Sequence, residues 1–274
     1  VCYVCAADRL RDTMSESKRH STIVIGAQPV WNPQDWRSLI NARRAIRQQI
    51  ARARNKGITV EAIPAVCGKD DPELKRVLAE WLRARGLPPM HFLVEPLAVH
   101  GELADRLLLV ARRRGSMAAY LIASPVPARN GCLIEQVVRS PRAPNGSSEL
   151  LIDAAMRHFA EEGRDYATLG LVALSSKAVG TSAINPWWLK LITALARAHA
   201  NRFYNFRGLE RFRMKLAPAG WETIFAIANE RRFSIRTLYA VGEAFSGIAP
   251  WRALGLGVYR GLSEEFQRFR GASA

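Results

Sequence analysis

Hydrophobic residues along the chain occur in short runs typical of strands and in longer segments with helical spacing. Ile46 and Ile50, four residues apart, define one apolar face of a helical segment that ends at Gly57. Asn185 before Pro186 is typical of the start of another helix. The predicted strands cover residues 1–7, 21–31, 58–63, 107–111, 117–124, 132–138, 166–173 and 221–228, and the predicted helices cover residues 34–56, 73–85, 147–162 and 186–203.

The order of these elements predicts the fold class. A helix, a hairpin and a third strand are followed by a loop, a second helix and a further strand, which is the order of the GNAT acyltransferase core. We therefore expect an α/β fold in which mixed sheets are flanked by helices. The turn-rich residues 67–72 are typical of a domain boundary.

The charge of the chain indicates a polyanionic partner. There are 40 Lys and Arg residues against 24 Asp and Glu, a net charge of +16, which favours nucleic acid or anionic lipid headgroups. The segment 36–60 contains no acidic residue. Its basic residues are Arg37, Arg43, Arg44, Arg47, Arg52, Arg54 and Lys56. We interpret this segment as a polyanion-binding helix, and the alternative is an ordinary solvated helix surface.

Other features bound the class of protein. The 274 residues contain no apolar run of the roughly 18 to 20 residues that a membrane-spanning helix needs, so the chain as given is expected to be soluble. It begins with Val1 and without a signal-peptide pattern, which favours a fragment of a longer protein. Four scattered cysteines, Cys2, Cys5, Cys67 and Cys132, indicate a reducing compartment, and we expect neither a metal site nor a cofactor.

The loop after the predicted strand 132–138 is the first candidate site. In a GNAT core this loop directs backbone N–H groups at a phosphate or carbonyl. Pro141 and Pro144 remove two donors and leave Gly146 alone, so acetyl coenzyme A is a poor fit. The remaining polar residues, which can hold a different phosphate or an ester, are Arg139, Arg142, Asn145, Ser147 and Glu149. Alternatively Asn145 or Ser147 caps the next helix, with Glu149 in its first turn.

A second basic segment covers residues 204–218. Arg207, Arg211 and Lys215 recur every four residues and share one helical face, and Arg213 lies nearby. Such a face can bind phosphates. The alternative is a salt-bridged surface helix, although Glu210 is the single acidic residue in this segment.

Several motifs together resemble one family. They are IGAQP at 25–29, RARNKG at 52–57, PNGSSELL at 144–151, LGLVALS at 169–175, YNFRGL at 204–209 and RMK at 213–215. These stretches, which span most of the chain, are similar to the C-terminal domain of the phosphatidylglycerol lysyltransferases. Two positions depart from the family pattern, since Arg213 stands where Lys is more common and Leu216 where Phe is more common.

The resemblance implies two acetyltransferase-like lobes. The first covers residues 1–66, contains the basic helix and need not be complete. The second covers residues 67–274 and contains the catalytic site. It implies transfer of an aminoacyl group, lysyl or alanyl, from aminoacyl-tRNA to phosphatidylglycerol or a related membrane lipid. The implied partners are aminoacyl-tRNA, an anionic phospholipid and a membrane domain upstream of Val1. The implied location is the cytoplasmic face of the bacterial inner membrane.

Site residues follow from the same motifs. Glu149, or a group of the substrate, accepts the acceptor's proton, and Asn145 positions the substrate. The residues expected to bind tRNA or lipid phosphates are Arg139, Arg142, Tyr204, Arg207, Arg211, Arg213 and Lys215. Those expected on the tRNA backbone are Arg43, Arg47, Arg54 and Lys56. We expect the Asn145 loop and the Lys215 face to border one cleft, because the ester carbonyl and the terminal tRNA phosphates are only a few bonds apart.

Two other classes of function compete with this hypothesis. One is a coenzyme A-dependent N-acetyltransferase, and the other is a non-catalytic basic module that binds RNA or membranes. The proline-interrupted loop is evidence against the first. The Asn145, Glu149 and Tyr204 motifs are evidence against the second.

Overall fold

The structure is a computed structural model that describes residues 1–64, 68, 70–84, 105–178, 184–199 and 206–246. Tyr204 lies outside these residues, as does the side chain of Arg207. Of the predicted boundary turn at 67–72, residues 68 and 70–72 lie among the described residues.

The strands are β1 (Cys2–Ala6), β2 (Ser21–Trp31), β3 (Ile58–Ile63), β4 (Leu107–Arg113), β5 (Ser116–Val126), β6 (Gly131–Arg139), β7 (Tyr166–Thr168), β8 (Val172–Ala173) and β9 (Gly220–Ala228). The α-helices are α1 (Asp8–Ser15), α2 (Trp36–Ala42), α3 (Arg44–Asn55), α4 (Pro72–Arg83), α5 (Ser147–Glu161), α6 (Trp187–His199), α7 (Phe206–Lys215) and α8 (Ile235–Ser246). Short 3-10 helices cover Pro33–Asp35 and Pro127–Arg129.

The predicted single helix 34–56 is wrong, because the chain forms two helices there. Arg43 interrupts them with φ −109° and ψ 83°, which is not helical. On an ideal helix of 100° per residue, Trp36, Ile40, Ile46 and Ile50 would lie within an arc of about 120°, so an unbroken helix would also place them on one face. All four side chains are buried in one core, two before the break at Arg43 and two after it.

The described strands form one sheet in the order β1-β9-β2-β7-β6-β5-β4-β3, and β8 pairs with β2. The β6–β7 pair is parallel, and the others are antiparallel. Strand β9, from the C-terminal part of the chain, lies between β1 and β2. Residues on both sides of the predicted division at 66 thus contribute to one sheet, and that division stays a prediction.

Helices cover both faces of this sheet. Helices α2, α3 and α5 pack on one face of the central strands, where Ile46, Met156 and Phe159 are buried. Helix α4 covers the opposite face of β4–β6 through Leu74 and Val77. Because α4, the β4–β5 hairpin, β6, α5 and parallel β7 follow in the predicted order, the α/β class with a GNAT-like core is confirmed.

Candidate active site

The parallel pairing of β6 with β7 stops part-way along β6, and we call the gap beyond it the β6–β7 opening. Their ladder joins Gly131, Cys132 and Leu133 to residues 166–168 and ends there. Strand β6 continues to Arg139, whereas the chain after β7 turns away at Gly170, whose φ is +71°. The β6–β7 opening therefore lies beside the loop that leads from β6 to α5.

Helix α7 lies at the β6–β7 opening. One guanidinium nitrogen of Arg213, Nη1, donates a hydrogen bond of 2.6 Å to the Gly170 carbonyl at the end of β7. Leu216, directly after the helix, is fully buried in the main core, and its carbonyl accepts a 3.0 Å hydrogen bond from Trp31 Nε1 on β2. These contacts attach the C-terminal half of α7 to β2 and to the end of β7.

The loop between β6 and α5 is held by hydrogen bonds from Ser140 and Arg139. Ser140 Oγ donates to Glu80 Oε2 on α4 at 2.6 Å, and hydrogen bonds from Ser140 and from Arg76 lower the pKa of Glu80. Arg139 Nη1 lies 3.2 Å from the Ala143 carbonyl and 3.4 Å from Asn145 Oδ1. The arginine and the asparagine therefore contact each other at the mouth of the loop.

Gly146 is required at the start of α5 for two reasons. Its φ of +96° is a conformation that L side chains rarely adopt, and a Cβ atom there would lie 2.0 Å from the Gln49 carbonyl of α3. The loop consequently packs directly on the backbone of α3. Neither Asn145 nor Ser147 caps α5 by its side chain, since the N-cap is Gly146 and Ser147 Oγ donates to the Pro144 carbonyl. The interpretation of Asn145 or Ser147 as a helix cap is wrong.

Glu149 and Lys215 connect the two candidate sites predicted from the sequence, the loop region after β6 and the basic segment 204–218. Nζ of Lys215 lies 2.8 Å from Oε1 of Glu149, although the residues are 66 positions apart in the chain. Glu149 is 8% exposed, and Lys215 is half-buried. The carboxylate lies in the first turn of α5, where the helix dipole favours negative charge, and the ammonium lies in the last turn of α7, where it favours positive charge.

The other predicted phosphate ligands occupy different environments. Arg142, Asn145 and Arg211 are exposed, which leaves their side chains accessible from solvent. Arg213 is 8% exposed and points inward to the Gly170 carbonyl. The backbone of Arg207 belongs to the first turn of α7.

The predicted tRNA-backbone residues also differ among themselves. Arg43 and Lys56 are exposed at the two ends of α3. Arg47 Nη1 donates to the carbonyls of Ile40 and Asn41 at the end of α2. Arg54 Nη2 lies 3.4 Å from Asp153 Oδ2 on α5. Two of the four therefore have partners within the protein.

Asp153 is an important residue that the sequence patterns did not single out. It is 1% exposed, and its carboxylate accepts hydrogen bonds from Trp36 Nε1 and Arg157 Nε, both at 3.1 Å, besides the contact with Arg54. A buried carboxylate requires such partners. The available signal was an isolated acid inside an apolar helical segment, LLIDAAM at 150–156.

A polar cluster at the junction of β2, β7 and β9 was also missed. Arg129 donates two hydrogen bonds, of 2.8 and 2.7 Å, to the Glu222 carboxylate, which also accepts from Gln28 and Tyr166. Burial opposes ionisation of Glu222, but the bonds from Arg129 and Gln28 outweigh it and lower its pKa. Burial, with the nearby Glu222 charge, raises the pKa of Tyr166 to about 12.

Glu210 on α7 fixes a further loop. Its Oε1 accepts hydrogen bonds from Ser175 Oγ at 2.9 Å, from Ser176 Oγ at 2.8 Å and from the Ser176 amide at 3.1 Å. The single acid of the basic segment is therefore a structural anchor on the turn after β8.

Two properties of the described residues concern metal binding and the membrane. They contain no group of three or more His, Cys, Asp or Glu side chains arranged to hold a metal ion. None of the described helices combines the length and the apolar character needed to cross a bilayer.

Known proteins similar to this chain agree on one family. Residues 1–228 match the family model described as phosphatidylglycerol lysyltransferase, C-terminal. The lysylphosphatidylglycerol biosynthesis bifunctional protein LysX of Mycobacterium sp. (strain JLS) is 25% identical over 247 residues, which cover 82% of this chain. The match covers 21% of LysX, so this chain spans about one fifth of that curated relative.

Solved structures share the fold. The C-terminal domain of a candidate lysylphosphatidylglycerol synthetase from Agrobacterium fabrum superposes with a TM-score of 0.67 at 20% identity, covering 91% of this chain and 73% of that one. L-PGS from Bacillus licheniformis superposes with a TM-score of 0.65 at 17% identity, covering 92% and 74%. Given the family match over residues 1–228 and this shared fold, the chain belongs to the phosphatidylglycerol lysyltransferase C-terminal family.

Proposed function

We propose that this domain transfers an aminoacyl group from aminoacyl-tRNA to a hydroxyl of phosphatidylglycerol. The observation that carries the proposal is the Glu149–Lys215 pair at 2.8 Å, which lies beside the β6–β7 opening in a chain of this family. Lysyl is the proposed group because the relatives carry lysyl in their names, and alanyl is the alternative.

The chemistry needs few protein groups, because the aminoacyl ester is already activated. The lipid hydroxyl oxygen attacks the ester carbonyl carbon while its proton passes to the Glu149 carboxylate. The tetrahedral oxyanion that results is stabilised by the Lys215 ammonium. When the bond to the tRNA ribose oxygen breaks, Glu149 returns the proton to that oxygen, so the tRNA leaves with a free hydroxyl and the enzyme is regenerated.

Positive side chains around the opening suit the phosphates of both substrates. Arg139 ends β6, Arg142 lies in the β6–α5 loop, and Arg211 is exposed on α7 near Lys215. The loop packs on α3 at Gly146, which brings the basic helix within reach of the same substrate. Because charged tRNA is made in the cytoplasm, we propose that the domain works at the cytoplasmic face of the membrane.

Coenzyme A-dependent acetylation fits this loop less well. Pro141 and Pro144 lack amide donors. The amides of Ala143 and Ser147 already donate to the carbonyls of Ser140 and Pro144, at 3.0 and 3.3 Å. A pyrophosphate would find few open N–H groups there, so calorimetric titration with acetyl coenzyme A should show no specific binding. A micromolar dissociation constant would favour the acetyltransferase hypothesis.

The test of the proposed function is transfer of radiolabelled lysine from lysyl-tRNA to phosphatidylglycerol. Glu149→Gln should lower the transfer rate by about 100- to 10,000-fold, because the amide cannot accept the proton. Its affinity for tRNA should change little. The matched control is Glu161→Gln, an exposed carboxylate at the other end of α5, which should transfer at the wild-type rate. Equal rates for the two variants would exclude Glu149 as the base.

A further inference from the structure

Helix α6 is fixed to the sheet on one side. The Asn185 side chain, just before the helix, accepts a 2.7 Å hydrogen bond from the Val24 amide and donates a 3.0 Å hydrogen bond to the Val24 carbonyl of β2. Leu189 is buried among Ile23, Ala226 and other residues of the same core cluster. These contacts fix the rotation of α6 and determine which side chains face solvent.

Among the described side chains of α6, residues 187–194, the solvent side is mostly apolar, contrary to the usual pattern of a surface helix. Ile184, Trp187 and Leu191 follow helical spacing, and Trp187 and Leu191 are 77% and 57% exposed. Helix α8 packs on the same core cluster through Leu238. The exposed large apolar residues on and beside the two helices, which we call the outer apolar surface, are Ile184, Trp187, Leu191, Ile192, Ile235 and Tyr239.

Exposed cations border the outer apolar surface. Arg231 and Arg232, just before α8, and Arg236, in its first turn, are exposed. Of the acids near them, Glu230 accepts a 2.8 Å hydrogen bond from the Ser234 amide, which places it in the turn before α8. Glu243 is also exposed on α8, so three arginines against two acids leave the border net positive, in keeping with the net charge of +16 for the whole chain.

We propose that the outer apolar surface docks on the interface of an anionic phospholipid bilayer. Trp and Tyr favour the headgroup level, and Leu and Ile enter the acyl boundary, as in helices that lie in the plane of a membrane. The surrounding arginines then reach lipid phosphates, which attract them electrostatically. A protein partner would not require this cationic border. The proposal rests on the proposed function, because docking would bring the enzyme to its lipid acceptor.

The test is co-sedimentation with vesicles of phosphatidylcholine, with and without phosphatidylglycerol, in the absence of tRNA. The double variant Trp187→Ser with Leu191→Ser should lower the partition coefficient on phosphatidylglycerol vesicles by about tenfold or more, because it removes buried apolar contact. The matched control is Tyr3→Ser. Tyr3 is also exposed, but it pairs with Ile227, whose side chain packs on the α1 side of the sheet.

A second variant tests the cationic border without removing apolar surface. Arg231→Gln with Arg236→Gln should lower binding to phosphatidylglycerol vesicles and leave the weak binding to phosphatidylcholine unchanged. Wild-type binding by the Trp187 variant, or binding that is independent of phosphatidylglycerol, would overturn the proposal. A loss of binding in Tyr3→Ser equal to that in the Trp187 variant would also overturn it.

Failure of docking and failure of the proposed function give different results. With short-chain phosphatidylglycerol dissolved as monomers, the Trp187 variant should transfer lysine at the wild-type rate, because no bilayer is involved. Loss of transfer on this substrate would assign the surface to substrate binding instead and overturn the docking proposal. Absence of transfer in the wild type with intact vesicle binding would remove the proposed function and leave the docking surface.

Discussion

Helices α3 and α7 carry the same kind of sequence, many arginines with few acids, yet the structure uses them differently. In α3, Arg47 bonds to the end of α2 and Arg54 to Asp153, while the helix itself is anchored by Ile46 and Ile50. In α7, Lys215 pairs with Glu149 beside the β6–β7 opening. A run of basic residues therefore indicates a positive surface. The partners of each cation decide whether that cation is structural or available to a substrate.

The largest expected effect is at the pair that distinguishes α7. Lys215→Met should lower the transfer rate by about 100- to 1000-fold, because it removes the cation proposed to stabilise the oxyanion. Glu149→Gln combined with Lys215→Met should be no worse than Glu149→Gln by more than a few fold, since the two groups act as one unit. Single-turnover transfer rates measure this. Multiplicative losses would indicate that the two residues act independently.

A smaller effect separates two neighbouring arginines of α7. Arg213→Ala should lower the free energy of unfolding by about 2 kcal/mol, because it leaves the Gly170 carbonyl without its charged donor. Arg211→Ala, two residues earlier in α7 and exposed, should change it by less than about 0.5 kcal/mol. Urea denaturation followed by circular dichroism measures both. Equal stabilities would show that the contact with Gly170 contributes little.

Next in size is the difference within the basic helix. Arg43→Gln should reduce the slope of tRNA affinity against salt, on logarithmic axes, by about 0.7 to 0.9, the value of one phosphate contact. Arg47→Gln should change the slope less, because its guanidinium is bonded to α2 carbonyls. Filter binding at several salt concentrations tests this. A larger change for Arg47 than for Arg43 would reverse the distinction between structural and available cations.

The smallest effect concerns a carboxylate whose charged partner lies on its own helix. Bonds from Ser140 and Arg76 lower the pKa of Glu80 from its usual value of 4.5, so its contribution to stability is present above pH 4.5 and is lost as the pH falls through the lowered pKa. Glu80→Gln should therefore flatten the fall in melting temperature below pH 4.5. An unchanged pH profile would show that other carboxylates control acid unfolding.

Much of the fold follows from local patterns. The order of the central helices and strands was predictable because alternation and helical spacing act between near neighbours in the chain. The break at Arg43 was missed, because Trp36, Ile40, Ile46 and Ile50 would share one face of an unbroken helix too. Strand β9 between β1 and β2 was not predictable, because the pairing of strands about 200 residues apart depends on how the whole chain packs.

By itself, the sequence determined the class of core, the positive charge and the motifs that place Glu149 and Lys215 near a common site. Only the tertiary structure decided that Lys215 contacts Glu149, that Arg213 and Arg54 bond to groups inside the protein, and that Trp187 faces solvent. The physical reason is that the type and spacing of residues set local conformation. The partner of a charge, by contrast, is chosen by burial and by contacts between segments far apart in the chain.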